Sequence, residues 1–116
     1  MISDNVFQIE RPWGNFRQFT LNNPSTVKIL TLKPNEALSL QSHKKRLEFW
    51  HVITGSGIVE IGEVKKNTTV GDEHEIPVGE KHRLSSGKDG IQVLEIATGE
   101  FDEKDIIHYE DKYGRQ

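Results

Sequence analysis

The stretch from Leu38 to Gly57, LSLQSHKKRLEFWHVITGSG, decides how the rest of the chain is interpreted. Residues 38–43 alternate apolar and polar side chains, and residues 48–54 are rich in aromatic and β-branched ones, so both segments are predicted to be strands. The basic run 44–47 predicts a loop between them. Two strands joined by so short a loop are antiparallel neighbours in one sheet.

Polar side chains gather where these two strands meet. Residues two apart on a strand point to the same face, so Gln41 and His43 project together. Glu48 opens the next strand and can lie opposite His43 across the ladder. A second stretch, Gly71 to Leu84, reads GDEHEIPVGEKHRL and supplies His82 from a third strand. We therefore predict that these four side chains meet at one point.

An amide oxygen, two imidazoles and a carboxylate form a ligand set for a divalent metal ion: zinc, manganese, cobalt, iron(II) or nickel. Four protein ligands leave positions open for water or substrate, as in a catalytic rather than a structural metal site. The alternative is that Gln41 and His43 are an ordinary polar pair on a strand and that Glu48 is a surface acid at a strand start.

The rest of the chain has many short strands, with turn signals every eight to twelve residues and no amphipathic helix. This pattern predicts an all-β sandwich or barrel of antiparallel strands, formed by residues 1–116 as one domain. Residues 1–15 are expected to be irregular, Gly55-Ser56-Gly57 to be a tight turn, and residues 85–90 to be a loop.

Composition narrows the function classes. The chain has 116 residues, no cysteine and a formal net charge of −3, so thiolate metal sites and disulfides are impossible and nucleic-acid binding is disfavoured. No apolar run approaches the roughly 20 residues of a membrane span, and residues 1–14 lack the pattern of a signal peptide. We expect a cytoplasmic protein that binds neither nucleic acid nor membranes.

The two stretches resemble the two sequence motifs of the cupin superfamily, with Gln41 in place of the first histidine of the usual H-x-H. The whole chain resembles a narrower family, the C-terminal cupin domain of type II mannose-6-phosphate isomerases, which often follows a mannose-1-phosphate guanylyltransferase. The segments that carry this resemblance are Arg11-Pro12-Trp13-Gly14, Leu38-Ser39-Leu40-Gln41-x-His43, Arg46-x-Glu48-x-Trp50, Ile76-Pro77-x-Gly79-x-x-His82-Arg83-Leu84, Asp105-Ile106-Ile107 and Glu110-Asp111-x-Tyr113-Gly114-Arg115.

The resemblance implies a double-stranded β-helix, that is, a jelly-roll barrel. It also implies a divalent metal held by Gln41, His43, Glu48 and His82, and the interconversion of mannose 6-phosphate and fructose 6-phosphate. The chain departs from the family at Lys44 and Lys45, where histidines are usual. That departure motivates an alternative, a metal- and sugar-binding cupin without catalysis; a metal-dependent oxygenase of the same fold is a second alternative.

Isomerisation moves a proton between two carbons of the open-chain sugar, so the site needs a base near the metal. Glu48, Glu95 and Glu60 are the candidates for this base, and a metal-assisted hydride shift would need none. The phosphate needs cationic donors a short distance from the metal. The candidates for the two tasks are Glu48, Glu95 and Arg83 for catalysis, and Arg46, Lys45, Lys81 and Arg115 for binding the sugar phosphate.

Side chains outside the predicted site suggest an interface. Leu38, Leu40, Phe49 and Ile53 lie on the face opposite the site and need cover, and open strand edges favour pairing, so we expect a homodimer. The remaining histidines, His51, His74 and His108, are interpreted as ordinary surface or interface residues.

Overall fold

The structure is a computed structural model that describes residues 2–110, with the side chains of residues 4–110. Its elements are a 3-10 helix at Ile2–Asn5 and the strands β1 Phe7–Arg11, β2 Gly14–Gln18, β3 Ser25–Leu32, β4 Leu40–Ser42, β5 Arg46–Ile61, β6 Val64–Thr69, β7 Glu73–Ile76, β8 His82–Gly99 and β9 Ile107–Glu110. Within this part of the chain no helix is long and apolar enough to cross a membrane.

Two long strands, β5 and β8, organise the fold. They pair with each other along almost their whole length, from Arg46 against Gly99 to Ile61 against His82. The shorter strands pair with one half or the other: β7 and β6 with the two halves of β5, β3 with the second half of β8, and β4 with its start. All pairings are antiparallel, and the predicted jelly-roll barrel of the cupins is confirmed.

Glycines let the two long strands bend where a turn was predicted. The pairing shifts register between Gly55 and Gly57, and β5 continues through this segment. Gly55 has a φ of +80°, and a Cβ there would collide with the carbonyl of Gly90 on β8. The predicted turn at 55–57 and loop at 85–90 are therefore wrong, because bulges between close-packed glycine backbones bend a strand without ending it.

The inward face of the barrel forms the main core. Its buried members are Leu32, Trp50, Val52, Val59, Ile76, Leu84, Ile91 and Val93. A second cluster, Phe49 with Ile96, lies on the outer face of the same strands and is covered by the N-terminal segment through Val6 and Phe19. His74 is buried among inward-facing residues and bonds the Thr68 hydroxyl at 2.8 Å, so its interpretation as a surface residue is wrong.

The N-terminal residues are more ordered than expected. Strands β1 and β2 form a separate two-stranded sheet around the Pro12-Trp13 turn. Arg17 ties this hairpin to the barrel, because its Nε donates to Glu73 Oε2 at 2.7 Å. Glu73 also accepts a hydrogen bond from His51 Nδ1 at 2.9 Å. These donors hold the pKa of the Glu73 carboxyl below its usual range, with the Arg17 hydrogen bond as the largest cause.

The substitution Glu73→Gln should lower the free energy of unfolding by about 1 kcal/mol at pH 7, a modest value because both partners are partly exposed. A carboxyl whose folded pKa is lowered contributes stability above its unfolded pKa and loses it as pH falls through the folded value. The difference in the free energy of unfolding between wild type and Glu73→Gln should therefore shrink in urea titrations carried out below the usual glutamate pKa. Glu63→Gln, on the exposed turn before β6, is the control; an equal loss there would contradict the assignment.

Candidate metal centre

His43, Glu48 and His82 meet inside one end of the barrel. His43 follows β4, Glu48 belongs to β5 and His82 opens β8. Their exposed fractions are 2, 1 and 1 %, and the possible ligand atoms all lie within 4.8 Å of one another. Glu48 Oε2 lies 3.4 Å from His43 Nε2, and Glu48 Oε1 lies 3.6 Å from His82 Nε2. Three strands thus bring two imidazoles to opposite oxygens of one carboxylate.

Backbone carbonyls set the tautomer of both histidines. His43 Nδ1 donates to the carbonyl of Asp105 at 2.7 Å, and His82 Nδ1 donates to the carbonyl of Glu80 at 3.0 Å. Because a carbonyl only accepts, the proton of each neutral ring lies on Nδ1 and each Nε2 keeps a lone pair. Burial lowers the pKa of His82, which favours this neutral form. Metal-binding histidines in proteins show the same second hydrogen bond.

The lone pair of His82 Nε2 is what fits the site to a cation. This atom is buried and has no hydrogen-bond partner among residues 2–110. A buried polar atom without a partner costs free energy unless another group satisfies it. A divalent cation between the two Nε2 atoms and Glu48 would satisfy it, and this mixed nitrogen and oxygen set suits zinc, manganese, cobalt, iron(II) or nickel.

Glu48 is held by two further side chains of its own strand. Trp50 Nε1 donates to Glu48 Oε1 at 3.2 Å, and Arg46 Nε donates to Glu48 Oε2 at 3.1 Å. Residues 46, 48 and 50 share one face of β5, which is why all three meet. Arg46 also places Nη2 3.2 Å from His43 Nε2, so its guanidinium contacts two of the three ligand residues.

Gln41 lies beside the centre as the cross-strand neighbour of His82. Its Oε1 accepts a hydrogen bond from Ser39 Oγ at 2.9 Å, and Ser39 Oγ lies 2.8 Å from His108 Nδ1. Since the single hydroxyl proton of Ser39 goes to Gln41, His108 is the donor to Ser39. The amide oxygen retains a second lone pair, and its role as a metal ligand stays a prediction.

Glu95 lies on the inward face next to Trp50, its cross-strand partner. It is buried, and burial raises its pKa to about 7, with the charge of Glu48 as the next cause. The structure thus brings this candidate acid to the neighbourhood of Glu48. Glu60, the other candidate base, lies elsewhere, in an ion pair with Lys65 at 3.6 Å.

The other predicted substrate-binding and catalytic cations contact the C-terminal segment 100–110 rather than the three ligands. Arg83 Nη2 donates to the carbonyl of Glu110 at 3.1 Å, Lys45 Nζ lies 3.7 Å from Glu100 Oε2, and Lys81 Nζ lies 4.3 Å from the centre of the Tyr109 ring. Arg115 lies outside the described residues. The roles of these four residues stay predictions.

Asp105 is a site residue for which the sequence suggested no role. Its carboxylate oxygens accept hydrogen bonds from the backbone amides of Lys44 and Lys45, each at 2.9 Å, while its carbonyl orients His43. One residue therefore fixes both the loop after the ligand and the ligand itself. The segment Asp105-Ile106-Ile107 carried part of the family resemblance, and this was the only indication of Asp105 in the sequence.

The sequence of the chain is similar to those of known proteins. The family model described as "Mannose-6-phosphate isomerase C-terminal" matches residues 3–111. Among curated proteins, xanthan biosynthesis protein XanB of Xanthomonas campestris is 37% identical over 110 residues, or 93% of this chain and 24% of that protein. A mannose-1-phosphate guanylyltransferase of Salmonella montevideo is 36% identical over 110 residues, or 93% and 23%. The chain spans about a quarter of the length of these relatives.

Solved structures agree on the fold. Oxalate decarboxylase of Bacillus subtilis gives a TM-score of 0.69 at 22% identity, over 93% of this chain and 31% of that one. The capsular polysaccharide assembling protein CapF of Staphylococcus aureus gives 0.65 at 19% identity, over 90% and 32%. At this level of identity the likeness concerns the fold alone.

These findings correct the functional prediction. We expected an isomerase that interconverts mannose 6-phosphate and fructose 6-phosphate, but the matching curated relatives are named mannose-1-phosphate guanylyltransferase or polysaccharide biosynthesis proteins. The family description names only the C-terminal part of an isomerase. The assignment as mannose-6-phosphate isomerase is therefore wrong. The sequence misled because a motif identifies a family of domains, and one domain serves several activities.

The tautomers give a direct test of the centre. In metal-free protein, ¹⁵N spectra of the imidazoles should show the proton on Nδ1 for both His43 and His82, because a carbonyl accepts from each Nδ1. The pKa of His82 should lie below that of a free imidazole, because burial opposes its charged form. A protonated Nε2 on either ring would contradict the geometry, and the spectrum of His51, which is 23 % exposed on the outer face, serves as the internal reference.

Proposed function

Because the chain belongs to the family described as "Mannose-6-phosphate isomerase C-terminal", we propose that it binds a divalent metal ion and holds a mannose phosphate beside it. His43, Glu48 and His82 are the proposed metal ligands, with Gln41 as a fourth. The observation that carries the proposal is the buried Nε2 of His82, which lies 3.6 Å from Glu48 Oε1 and has no hydrogen-bond partner in the described part of the chain.

The proposed metal is zinc, manganese, cobalt, iron(II) or nickel, since nitrogen and oxygen ligands suit all of these. When bound, it would supply a Lewis acid that binds and polarises oxygen atoms of the sugar. The chain's own residues prepare its place. Asp105 and Glu80 hold the two imidazoles through their carbonyls, and Trp50 and Arg46 hold the carboxylate. Such supporting hydrogen bonds raise the affinity for the metal.

The proposed sugar ligand follows from the relatives and from the charge of the site. A relative named mannose-1-phosphate guanylyltransferase uses a mannose phosphate by its name, and this chain matches a quarter of it. The guanidinium of Arg46 beside the ligands offers an anion a charged donor. Glu95, next to Glu48, is placed to hydrogen-bond a sugar hydroxyl. The proposed ligand is therefore mannose 1-phosphate or mannose 6-phosphate, and the chemistry performed on it is left open.

Chelator-treated protein titrated with manganese, cobalt or zinc should bind one equivalent, and His82→Gln should weaken the binding by roughly 100-fold or more, because a ligand is lost. Metal-loaded protein should then bind mannose 1-phosphate or mannose 6-phosphate in calorimetry, and chelated protein should not. His51→Gln, which removes an imidazole on the outer face, should leave both affinities unchanged.

No uptake of any of these metals by the wild-type chain would overturn the proposal. If the chain takes up a metal but binds neither mannose phosphate, the proposed sugar ligand is refuted and the proposed metal centre stands. An equal loss of metal affinity in His82→Gln and His51→Gln would indicate unfolding rather than the loss of a ligand.

A homodimer is part of the proposal, but its argument rests on different residues from those expected. Leu38 packs on the main core, and Phe49 is covered by Phe19. Two exposed apolar side chains, Val27 and Ile29, lie together on the outer face of β3, 57 and 59 % exposed. Within residues 2–110, β3 pairs only with β8, so its other edge is open. An open edge beside exposed apolar side chains favours pairing with a second copy.

Light scattering should therefore give a mass of twice 13.3 kDa. Ile29→Lys should shift the protein to the monomer, because a charge on this face would be desolvated between two copies. Val70→Lys is the matched control, since Val70 is also exposed, at 58 %, but lies at the end of β6. A wild-type monomer, or an equal effect of the two lysines, would contradict the dimer through β3.

A further inference from the structure

Lys28 is a cation on the inward side of β3 that has no role in the account so far. It lies on β3 opposite Glu95, which in turn lies opposite Trp50 on β5. Directly opposed residues share a face of the sheet. The neighbour of Lys28 on this face, Leu30, packs against the main core. The side chain of Lys28 therefore points into the barrel, whereas those of Val27 and Ile29 point outward.

A single aromatic ring links Lys28 to the metal centre. Lys28 Nζ lies 4.2 Å from the centre of the Phe101 ring, and Arg46 Cζ lies 4.4 Å from the same centre. Cations at these distances from a ring are attracted to its face. Phe101 thus contacts both cations, and the second, Arg46, contacts Glu48 and His43 directly.

Both cations keep donors for a ligand. Without a metal, Arg46 uses Nε on Glu48, Nη2 on His43 and Nη1 on the carbonyl of Asp102, which leaves one N–H on each terminal nitrogen. A metal on His43 Nε2 would take the lone pair that Nη2 contacts and would free a further Arg46 donor. Lys28 is 38 % exposed, and its ion-pair partner at 3.3 Å is Glu103, which is 81 % exposed. Such a surface pair is weak and is easily exchanged for another anion.

We propose that Lys28 and Arg46, which both contact the Phe101 ring, form the phosphate-binding part of the sugar site. The inference rests on the proposed function and adds to it the residues that distinguish a phosphorylated sugar from a free one. Arg46 offers two planar N–H donors and Lys28 an ammonium group, and this pairing is well suited to the three oxygens of a phosphomonoester.

Lys28 fits this task better than the lysines expected from the sequence. Lys45 and Lys81 contact Glu100 and the Tyr109 ring, whereas Lys28 lies on the same face as Glu95 and Trp50. Sequence motifs do not indicate this role, because Lys28 lies in a strand that carries none of them. Its approach to the centre depends on the pairing of β3 with β8.

The test compares Lys28→Gln with Lys88→Gln, a change at an exposed position of β8, in metal-loaded protein. Lys28→Gln should weaken the binding of mannose 6-phosphate or mannose 1-phosphate about tenfold, because one charge-assisted hydrogen bond is lost. The affinity for unphosphorylated mannose and for the metal should stay within about twofold of wild type. Lys88→Gln should change none of the three.

Several outcomes would overturn the inference. Unchanged binding of the phosphorylated sugar in Lys28→Gln would do so, and so would an equal loss for mannose and its phosphate, which indicates a structural role. If wild-type protein binds no mannose phosphate, the proposed function fails, and inorganic phosphate decides the inference separately. Thermal stabilisation by inorganic phosphate that is lost in Lys28→Gln supports the phosphate site, and its absence in wild type refutes it.

Discussion

The antiparallel pairing of β5 with β8 is the constraint on which the rest of the structure depends. These strands run side by side from Arg46 opposite Gly99 to Ile61 opposite His82. Every shorter strand of the barrel is added to one of them directly or, like β9, through β4. The strands can bend together only because Gly55 approaches the backbone of Gly90 with no side chain between them.

The same pairing builds the metal centre. Glu48 lies near the start of β5, and His82 opens β8, so the two residues come from opposite ends of the paired strands. The curvature of the barrel brings them within 3.6 Å. Burial then shifts the pKa values of the ionisable side chains that the fold brings together. It lowers the pKa of His82, and it raises the pKa of Glu95 to about 7. Closure of the sheet therefore creates both the geometry and the electrostatics of the site.

The C-terminal segment, residues 100–110, contributes contacts to the site although it lies outside the two cupin motifs. Phe101 stacks on Lys28 and Arg46, Asp105 fixes the loop that follows His43, and His108 reaches Gln41 through Ser39. None of these residues is a proposed metal ligand. Each of them contacts a proposed metal ligand or a residue next to one. In metal sites such supporting contacts determine much of the affinity for the metal. The segment is thus part of the functional unit, in addition to its pairing with β4.

The sequence by itself determined the all-β class, the family and the candidate ligands His43, Glu48 and His82, because alternation and spacing along a strand are local properties. Only the tertiary structure decided that Gly55 bends a strand instead of ending it, that His74 is buried, that Lys28 lies opposite Glu95, and that Asp105 bonds His43. These facts depend on cross-strand register and on contacts between residues as many as 75 positions apart, such as Lys28 with Glu103. Local pattern carries no information on such pairs, since their approach is set by closure of the whole sheet.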